Sequence, residues 1–217
     1  GLLGVGIAFT REYLDDTVHT REDVQLATGV PVLGTIPRIR ESANGKRGSP
    51  VPVVAGGEGG LAERLVAGRD PRNPVSEAYR SLRTNLTFSN PDDPPRTLVF
   101  TSPLPQDGKS TSAANLCITL AQQGTKTILI DADLRRGVLH TVFGTEREPG
   151  LTDVLTGKCT LEDAVQKVDP GASGSLWFLP SGPYPPNPAE MPGPQRLREP
   201  PAEPDRHICL IPDAAYG

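Results

Sequence analysis

The chain has 217 residues, which suits one α/β domain of ordinary size with flanking segments. Its formal net charge is −4, and it has no basic cluster of the kind that general nucleic-acid binders carry, so we expect no nucleic-acid partner. The three cysteines are odd in number and lack metal-type spacing, which disfavours a disulfide framework or a zinc site and fits a reducing cytosol.

A short apolar segment, residues 1–10, opens the chain and stops at Arg11. Such a segment is too short to cross a bilayer, which needs about 20 residues. Since no initiating methionine is present, we expect the chain to be a fragment that begins inside a transmembrane helix, with Arg11 at the cytoplasmic face. The alternative is a short buried helix or strand of a soluble domain.

Two further segments are expected before the main domain. Residues 11–38 form a juxtamembrane part, in which Thr20 followed by Asp23 predicts a capped helix start. Residues 39–72 are rich in glycine, alanine, serine, proline and charge, which predicts a flexible linker. An ordered domain is expected over residues 73–191.

The first helix predicted in this domain begins at Pro74, since proline suits the first helical turn, and it carries an apolar stripe. Glu77, Arg80 and Arg83 lie near one of its faces. By themselves these residues favour a solvated helix with an intrahelical ion pair, worth about a few tenths of a kcal/mol.

A phosphate-binding loop is predicted between an apolar strand, residues 98–101, and a helix, residues 112–123. The loop ends in Gly-Lys-Ser-Thr: Gly108 lets the backbone approach a phosphate, Lys109 reaches the β- and γ-phosphates, and Ser110 ligates Mg²⁺. The glycine that usually opens such a loop is a proline here. The alternative is a helix N-terminus with an exposed lysine.

Two carboxylates end the next apolar strand, which begins at Lys126. Asp131 and Asp133 can both lie at the carboxyl edge of a parallel sheet, beside the phosphate loop. One would hold the water shell of Mg²⁺ and the other would take a proton. The alternative is that Asp133 caps the helix that follows, but this leaves Asp131 without a partner.

Together, the loop and the two-carboxylate strand resemble the Walker A and Walker A′ motifs of the bacterial tyrosine kinases of capsule and exopolysaccharide synthesis. Residues 77–83, 150–155 and 180–190 resemble further family segments, in family order. Residues 9–37 resemble the cytoplasmic exit of a Wzz-type chain-length determinant. The resemblance covers roughly residues 1–191.

The resemblance implies an α/β fold, namely a P-loop NTPase of the MinD/ParA-like type with a doubly wound, mostly parallel sheet. It also implies ATP, Mg²⁺ and transfer of the γ-phosphoryl group to a tyrosine hydroxyl. Lys109, Asp131 and Asp133 would be catalytic. Ser110 and Asp131 would serve the metal, with Asp213 if it stands for the Walker B aspartate. Nucleotide contacts are expected from Pro105, Gln106, Asp107, Gly108, Lys109, Ser110, Thr111 and Arg135.

Partners and location follow from the same resemblance. Glu77, Arg80 and Arg83 match the family's E-x-x-R-x-x-R helix, which is implicated in packing subunits into a ring, so self-association is expected. The polysaccharide polymerase and export machinery and the membrane are the other expected partners. The expected location is the bacterial inner membrane, with the kinase domain in the cytoplasm.

Two departures from the family pattern stand out. Gln106 lies where the family usually has glycine, and a positive φ there would strain the loop by on the order of 1 kcal/mol. Residues 192–217 are proline-rich and look degenerate or truncated, so that residues 207–213 are at best a damaged Walker B strand. The family's later strands are missing, and we therefore expect the chain alone to fold incompletely.

Two other functions are compatible with these residues. A MinD/ParA-like ATPase would hydrolyse ATP without a tyrosine acceptor, but its loop usually carries a second lysine near the start, and residues 102–107 have none. A chain-length regulator without catalysis would use the nucleotide domain only as a scaffold.

Overall fold

The computed structural model describes residues 20–37, 65, 72–104, 107–171, 174–187 and 206–212. The predicted transmembrane end, residues 1–10, lies outside them, as does most of the predicted linker. None of the helices in the described part has the length and apolar character that crossing a bilayer requires. The described residues fall into two units that divide after Thr35.

The first unit contains helix α1, Arg21–Thr28, with a capping box at its start. The Thr20 hydroxyl accepts a hydrogen bond from the backbone N–H of Asp23 at 3.2 Å, and the Asp23 carboxylate accepts one from the N–H of Thr20 at 2.9 Å. The helix ends at Gly29, which has a φ of 68°. The capped helix start predicted at Thr20 is therefore confirmed.

The second unit begins its regular structure with helix α2, Pro74–Ser89. Proline occupies the first turn, as predicted, and the side chain of Asn73 accepts a hydrogen bond from the N–H of Val75 at 2.9 Å. Val75 and Tyr79 are buried. The helix thus turns its apolar stripe toward the core of the unit.

A five-stranded sheet is the centre of this unit, with the strands in the order β1-β5-β2-β4-β3. All neighbouring pairs are parallel except β3 and β4, which are antiparallel. The predicted mostly parallel α/β sheet is confirmed. The strands are β1 (Thr97–Val99), β2 (Lys126–Ala132), β3 (Gln166–Val168), β4 (Ser175–Leu179) and β5 (Arg206–Pro212).

Strand β5 corrects an expectation, because the segment predicted to be damaged forms a strand of seven residues. It pairs with β1 on one side and along its whole length with β2 on the other. Pro212 is the last residue of the strand, opposite Ala132, where a missing N–H interrupts little of the ladder. Cys209 is fully buried. Asp213, the Walker B candidate, lies outside the described residues.

Helices cover both faces of the sheet. Helix α3, Lys109–Ala121, packs with α2 against one face, where Leu129 of β2 and Phe178 of β4 join the core. Leu139 and Val142, of the short helix after β2, belong to this same cluster. Ile128 and Ile130 of β2 point to the opposite face and pack against the helices over residues 151–156 and 161–164. The sheet is therefore doubly wound, as predicted. The remaining helices are α4 (Leu139–Phe143), α5 (Leu151–Thr156) and α6 (Leu161–Ala164).

Leu65 lies inside the predicted linker, yet it is only 5% exposed and belongs to the core cluster of α2 and α3. Ile36 also packs against this cluster. Leu65 therefore buries its side chain in the domain, whereas the flexible linker over residues 39–72 stays a prediction.

Candidate nucleotide-binding site

The phosphate loop leads directly into helix α3, which begins at Lys109, three residues before the predicted start. Gly108 precedes it with a φ of 90°, a conformation that glycine adopts without strain, and no side chain caps the helix start. The first-turn N–H groups and the helix dipole therefore favour an anion at this end of α3.

Local hydrogen bonds fold the earlier part of the loop. The Asp107 carboxylate accepts from the N–H of Leu104 at 3.1 Å, and the Ser102 hydroxyl donates to the carbonyl of Leu104 at 2.9 Å. Asp107 thus turns back into the loop. Pro105 and Gln106 lie outside the described residues, so the strain expected at Gln106 stays a prediction.

Lys109 and Asp133 meet at the carboxyl edge of the sheet. The Lys109 Nζ lies 3.8 Å from the Asp133 Oδ2, and the two side chains are 8% and 16% exposed. An ion pair so poorly solvated interacts more strongly than a surface pair would. The structure therefore brings together two of the three residues predicted to be catalytic.

Asp131, the third of these residues, is 2% exposed and interacts electrostatically with both members of the pair. Its carboxylate accepts hydrogen bonds from the backbone N–H groups of Asp133 at 3.2 Å and Leu139 at 3.4 Å. Burial raises the pKa of Asp131 to about 6, against the lowering effect of these bonds and of Lys109. A cation beside this carboxylate would favour its ionised form.

The donor set fits Mg²⁺ of the phosphate-bound kind. Asp131 is a buried carboxylate, and Ser110 lies in the first turn of α3. Within the described ranges, no three side chains of histidine, cysteine, aspartate or glutamate are grouped as a metal cage. Mg²⁺ is often held by one or two protein oxygens together with phosphates and water, so such a cage is not required.

Asp133 serves two purposes at once. Its Oδ1 accepts hydrogen bonds from the N–H groups of Arg135 at 3.3 Å and Arg136 at 2.8 Å, which makes it the cap of the turn that follows β2. Its Oδ2 faces Lys109. The Oδ1 of Asp133 therefore acts as the predicted cap, and its Oδ2 is available to the candidate site.

The other residues predicted to contact the nucleotide differ in burial and in position. Ser110 is half-buried and Thr111 is 8% exposed, both in the first turn of α3. Arg135 is exposed on the turn after β2. The geometry therefore places Ser110 close to the helix N-terminus, while the described contact of Arg135 at Asp133 is made by its backbone.

A close approach between Gly137 and Ser181 supports the site, and sequence reasoning missed it. A Cβ on Gly137 would lie 2.3 Å from the Ser181 Oγ and 2.9 Å from the backbone oxygen of Asp133. Only glycine fits there, because any side chain would push the turn away from the loop after β4. The glycine that follows the Arg135-Arg136 pair was the signal in the sequence.

Helix α2 is bound to the phosphate-loop helix. Tyr79 is 1% exposed and forms side-chain hydrogen bonds with Ser112 and Asn115, while burial raises its pKa. The Arg83 Nη1 donates to the carbonyl of Thr119 at 3.1 Å. These contacts connect the position of α2 to the helix that carries Lys109.

The predicted self-association residues also have partners within the chain. Glu77 and Arg80 form an ion pair at 2.8 Å along α2, with side chains 68% and 31% exposed. This is the intrahelical ion pair that these residues by themselves predicted. The exposed carboxylate remains accessible on the surface of α2, whereas Arg83 turns toward α3.

Comparisons with known proteins place this geometry in a family. Residues 100–178 match the CobQ/CobB/MinD/ParA nucleotide binding domain. The chain is 45% identical to tyrosine-protein kinase YwqD of Bacillus subtilis (strain 168) over 131 residues, 60% of this chain and 54% of that protein. It is 31% identical to tyrosine-protein kinase ptk of Acinetobacter johnsonii over 196 residues, 88% of this chain and 25% of that protein.

A solved structure of a bacterial tyrosine kinase domain is also similar to this chain. The kinase domain of Escherichia coli tyrosine kinase ETK superposes with a TM-score of 0.71 at 28% identity, covering 91% of this chain and 74% of that domain. The chain spans about half the length of the Bacillus kinase and a quarter of the Acinetobacter kinase. With its phosphate loop, its two-carboxylate strand and this shared fold, the chain belongs to the family of bacterial tyrosine kinases.

Proposed function

We propose that the chain is an ATP-dependent protein-tyrosine kinase domain that acts in the polymerisation or export of capsular or exopolysaccharide. One observation carries the proposal: the Lys109 Nζ lies 3.8 Å from the Asp133 Oδ2, and both charges act on the buried Asp131. A cation for phosphate oxygens and a carboxylate for a hydroxyl proton are thereby present at one sheet edge, as phosphoryl transfer requires.

Each residue has a distinct task in this proposal. Lys109 would leave Asp133 and bind the β- and γ-phosphate oxygens of ATP, while the first N–H groups of α3 hold the phosphates. Ser110 and Asp131 would hold Mg²⁺ or its water ligands. When bound, Mg²⁺ would supply charge neutralisation on the phosphate oxygens. Asp133, released from Lys109, would accept the proton of the tyrosine hydroxyl.

The test compares three variants of the full chain in ATP binding and in phosphotyrosine formation. Lys109→Met should weaken ATP binding by at least tenfold and abolish phosphotyrosine, because it removes the cation. Asp133→Asn should keep ATP binding within a few-fold and reduce phosphotyrosine about 10²-fold or more, since it removes the base. Lys126→Met, an exposed lysine at the start of β2, is the matched control and should behave as the unmodified chain.

Two outcomes would contradict the proposal. If the chain does not bind ATP at millimolar concentration, the scaffold function is the better one. If it releases phosphate from ATP in a Lys109-dependent manner but forms no phosphotyrosine, a MinD/ParA-like ATPase is the better one.

Partners and location are further parts of the proposal. Self-association would use helix α2, which carries Glu77, Arg80 and Arg83, and the exposure of the Glu77 carboxylate supports this. The export machinery and the membrane would be the other partners, with the kinase domain at the cytoplasmic side of the bacterial inner membrane.

A further inference from the structure

The two tyrosines that the structure describes differ sharply in exposure. Tyr79 is 1% exposed, and its hydroxyl is bound to Ser112 and Asn115. Tyr184 is 54% exposed. Tyr13 and Tyr216 lie outside the described residues. A kinase site needs a free hydroxyl, and of the two described tyrosines Tyr184 offers one.

Tyr184 lies on the loop that follows β4, at the same sheet edge as the proposed kinase site. Strand β4 is the parallel neighbour of β2, so the carboxyl ends of the two strands lie side by side. Ser181, on the same loop, is packed against Gly137, where an added Cβ would also meet the backbone oxygen of Asp133. The loop of Tyr184 is therefore built onto the turn that positions Asp133.

Arg147 covers the ring of Tyr184. Its Cζ lies 3.4 Å from the ring centroid, a close cation–π contact. Its Nε donates a hydrogen bond to the carbonyl of Gly182 at 2.8 Å. Its Nη2 is buried and finds no hydrogen-bond acceptor among the described residues. The guanidinium is thus held in place by two contacts while one donor is left unsatisfied.

A phosphate on the Tyr184 hydroxyl would bring acceptor oxygens close to the guanidinium of Arg147, whose Cζ lies 3.4 Å from the ring centroid. The phosphate would sit at the edge of the ring that Arg147 covers, and its oxygens accept charge-assisted hydrogen bonds from a guanidinium. An unsatisfied buried donor costs free energy, and a phosphate partner would remove that cost. The pair is therefore arranged to favour the phosphorylated form of the loop.

We propose that Tyr184 is a phosphoryl acceptor of this kinase and that Arg147 binds the phosphate once it is formed. The inference rests on the proposed kinase function. In the reaction, the Tyr184 hydroxyl oxygen forms a bond to the γ-phosphorus of ATP, and the bond from that phosphorus to the β–γ bridging oxygen breaks. ADP leaves, and the hydroxyl proton passes to the Asp133 carboxylate of the chain that catalyses the transfer.

Phosphosite mapping by mass spectrometry tests the acceptor. The full chain, incubated with ATP and Mg²⁺, should carry phosphate on Tyr184 and none on Tyr79, and Lys109→Met should carry none on either. Tyr184→Phe keeps the ring under Arg147 and should lose most of the phosphotyrosine, while its thermal unfolding should match that of the unmodified chain.

The outcomes separate this inference from the function on which it rests. Lys109-dependent phosphotyrosine that maps only to other tyrosines would overturn the assignment of Tyr184 and leave the kinase function intact. Absence of phosphotyrosine on every tyrosine would overturn both.

A phosphorus NMR titration of the phosphorylated chain tests Arg147. A guanidinium beside the phosphate favours its dianion, so the phosphate pKa should be lower by about half a unit or more in the unmodified chain than in Arg147→Gln. Arg96→Gln, a change of the same type at an exposed arginine, should leave the titration unchanged. Equal titration in Arg147→Gln, or loss of phosphorylation in that variant, would overturn the role of Arg147.

Discussion

Asp131 has the most strongly constrained carboxyl group of the site, and its burial has a consequence for stability. Its pKa is about 6 in the fold, against an ordinary value of 3.8, because burial disfavours the charged form. The folded state therefore binds the Asp131 proton more tightly than the unfolded state does. This contribution to stability is complete below about pH 4 and is lost as the pH rises through 6.

We predict that Asp131→Asn removes this pH dependence. In the unmodified chain without nucleotide or Mg²⁺, the free energy of unfolding should fall by up to about 3 kcal/mol between pH 4 and pH 7, because each unit of pKa shift corresponds to about 1.4 kcal/mol. Asp131→Asn should show a flatter profile and be more stable at pH 7 by about 1–3 kcal/mol. Urea unfolding at a series of pH values measures both.

An exposed carboxylate provides the control for this prediction. Asp92→Asn, in the loop between α2 and β1, should keep the slope of the unmodified chain. If Asp131→Asn keeps that slope as well, another group is responsible for it. If Asp131→Asn is more stable but loses Mg²⁺-dependent ATP binding, the carboxylate of Asp131 lowers stability and is needed for function.

At the scale of elements, helix α2 combines a contact inside the domain with an exposed ion pair. Arg83 donates to the carbonyl of Thr119 on α3, whereas Arg80 pairs with the exposed Glu77. A hydrogen bond from a charged group to a partly buried acceptor contributes about 1.5–3 kcal/mol, while an exposed pair contributes less than about 1 kcal/mol. The two arginines should therefore respond differently to substitution.

We predict that Arg83→Ala lowers the free energy of unfolding by about 1–3 kcal/mol, because it leaves the carbonyl of Thr119 without this donor. Arg80→Ala should change it by less than about 1 kcal/mol. If α2 is the self-association surface, Arg80→Ala should also weaken self-association in analytical ultracentrifugation. Equal losses of stability in the two variants would contradict this division of roles.

The elements show what could be predicted from the sequence. The helix at Pro74 and the two strands that flank α3 were predicted because proline at the first turn and short apolar runs are local signals. Lys109 and Asp133 were predicted to meet because the carboxyl ends of parallel strands share an edge. The start of α3 was placed three residues late, since the polar Gly-Lys-Ser-Thr sequence carries no helical periodicity.

What the sequence did not reveal depends on pairing between distant segments. Residues 206–212 lie among prolines, and their strand is fixed by β1 and β2, which are far away in the chain. Leu65 likewise lies in a segment of linker composition, and its burial is decided by the core of α2 and α3. Local propensity cannot register such contacts.

At the scale of the whole molecule, β5 connects two parts of the sheet. Among the described strands, it is the neighbour of both β1 and β2, which have no ladder with each other. Removing it would expose the backbone hydrogen-bonding groups of both neighbours and leave the buried Cys209 position empty.

We predict that deletion of residues 206–217 abolishes cooperative unfolding, whereas deletion of residues 213–217 leaves the transition of the full chain unchanged. The reason is that only the longer deletion separates β1 from the rest of the sheet. Urea unfolding followed by near-ultraviolet circular dichroism measures this. The comparison requires a single sharp transition in the full chain, and observing that transition would contradict the expectation from the sequence that the chain alone folds incompletely.

The position of β5 also bears on how the protein is made. Synthesis proceeds from the N-terminus, so β1, β2 and β4 leave the ribosome long before residues 206–212 do. Until then the position between β1 and β2 is empty, and the unpaired edges of both strands can pair with other chains. The late pairing of β5 with β1 joins segments over a hundred residues apart in the chain, and such long-range pairing is slow. The nascent chain should therefore depend on chaperones until its last described strand emerges.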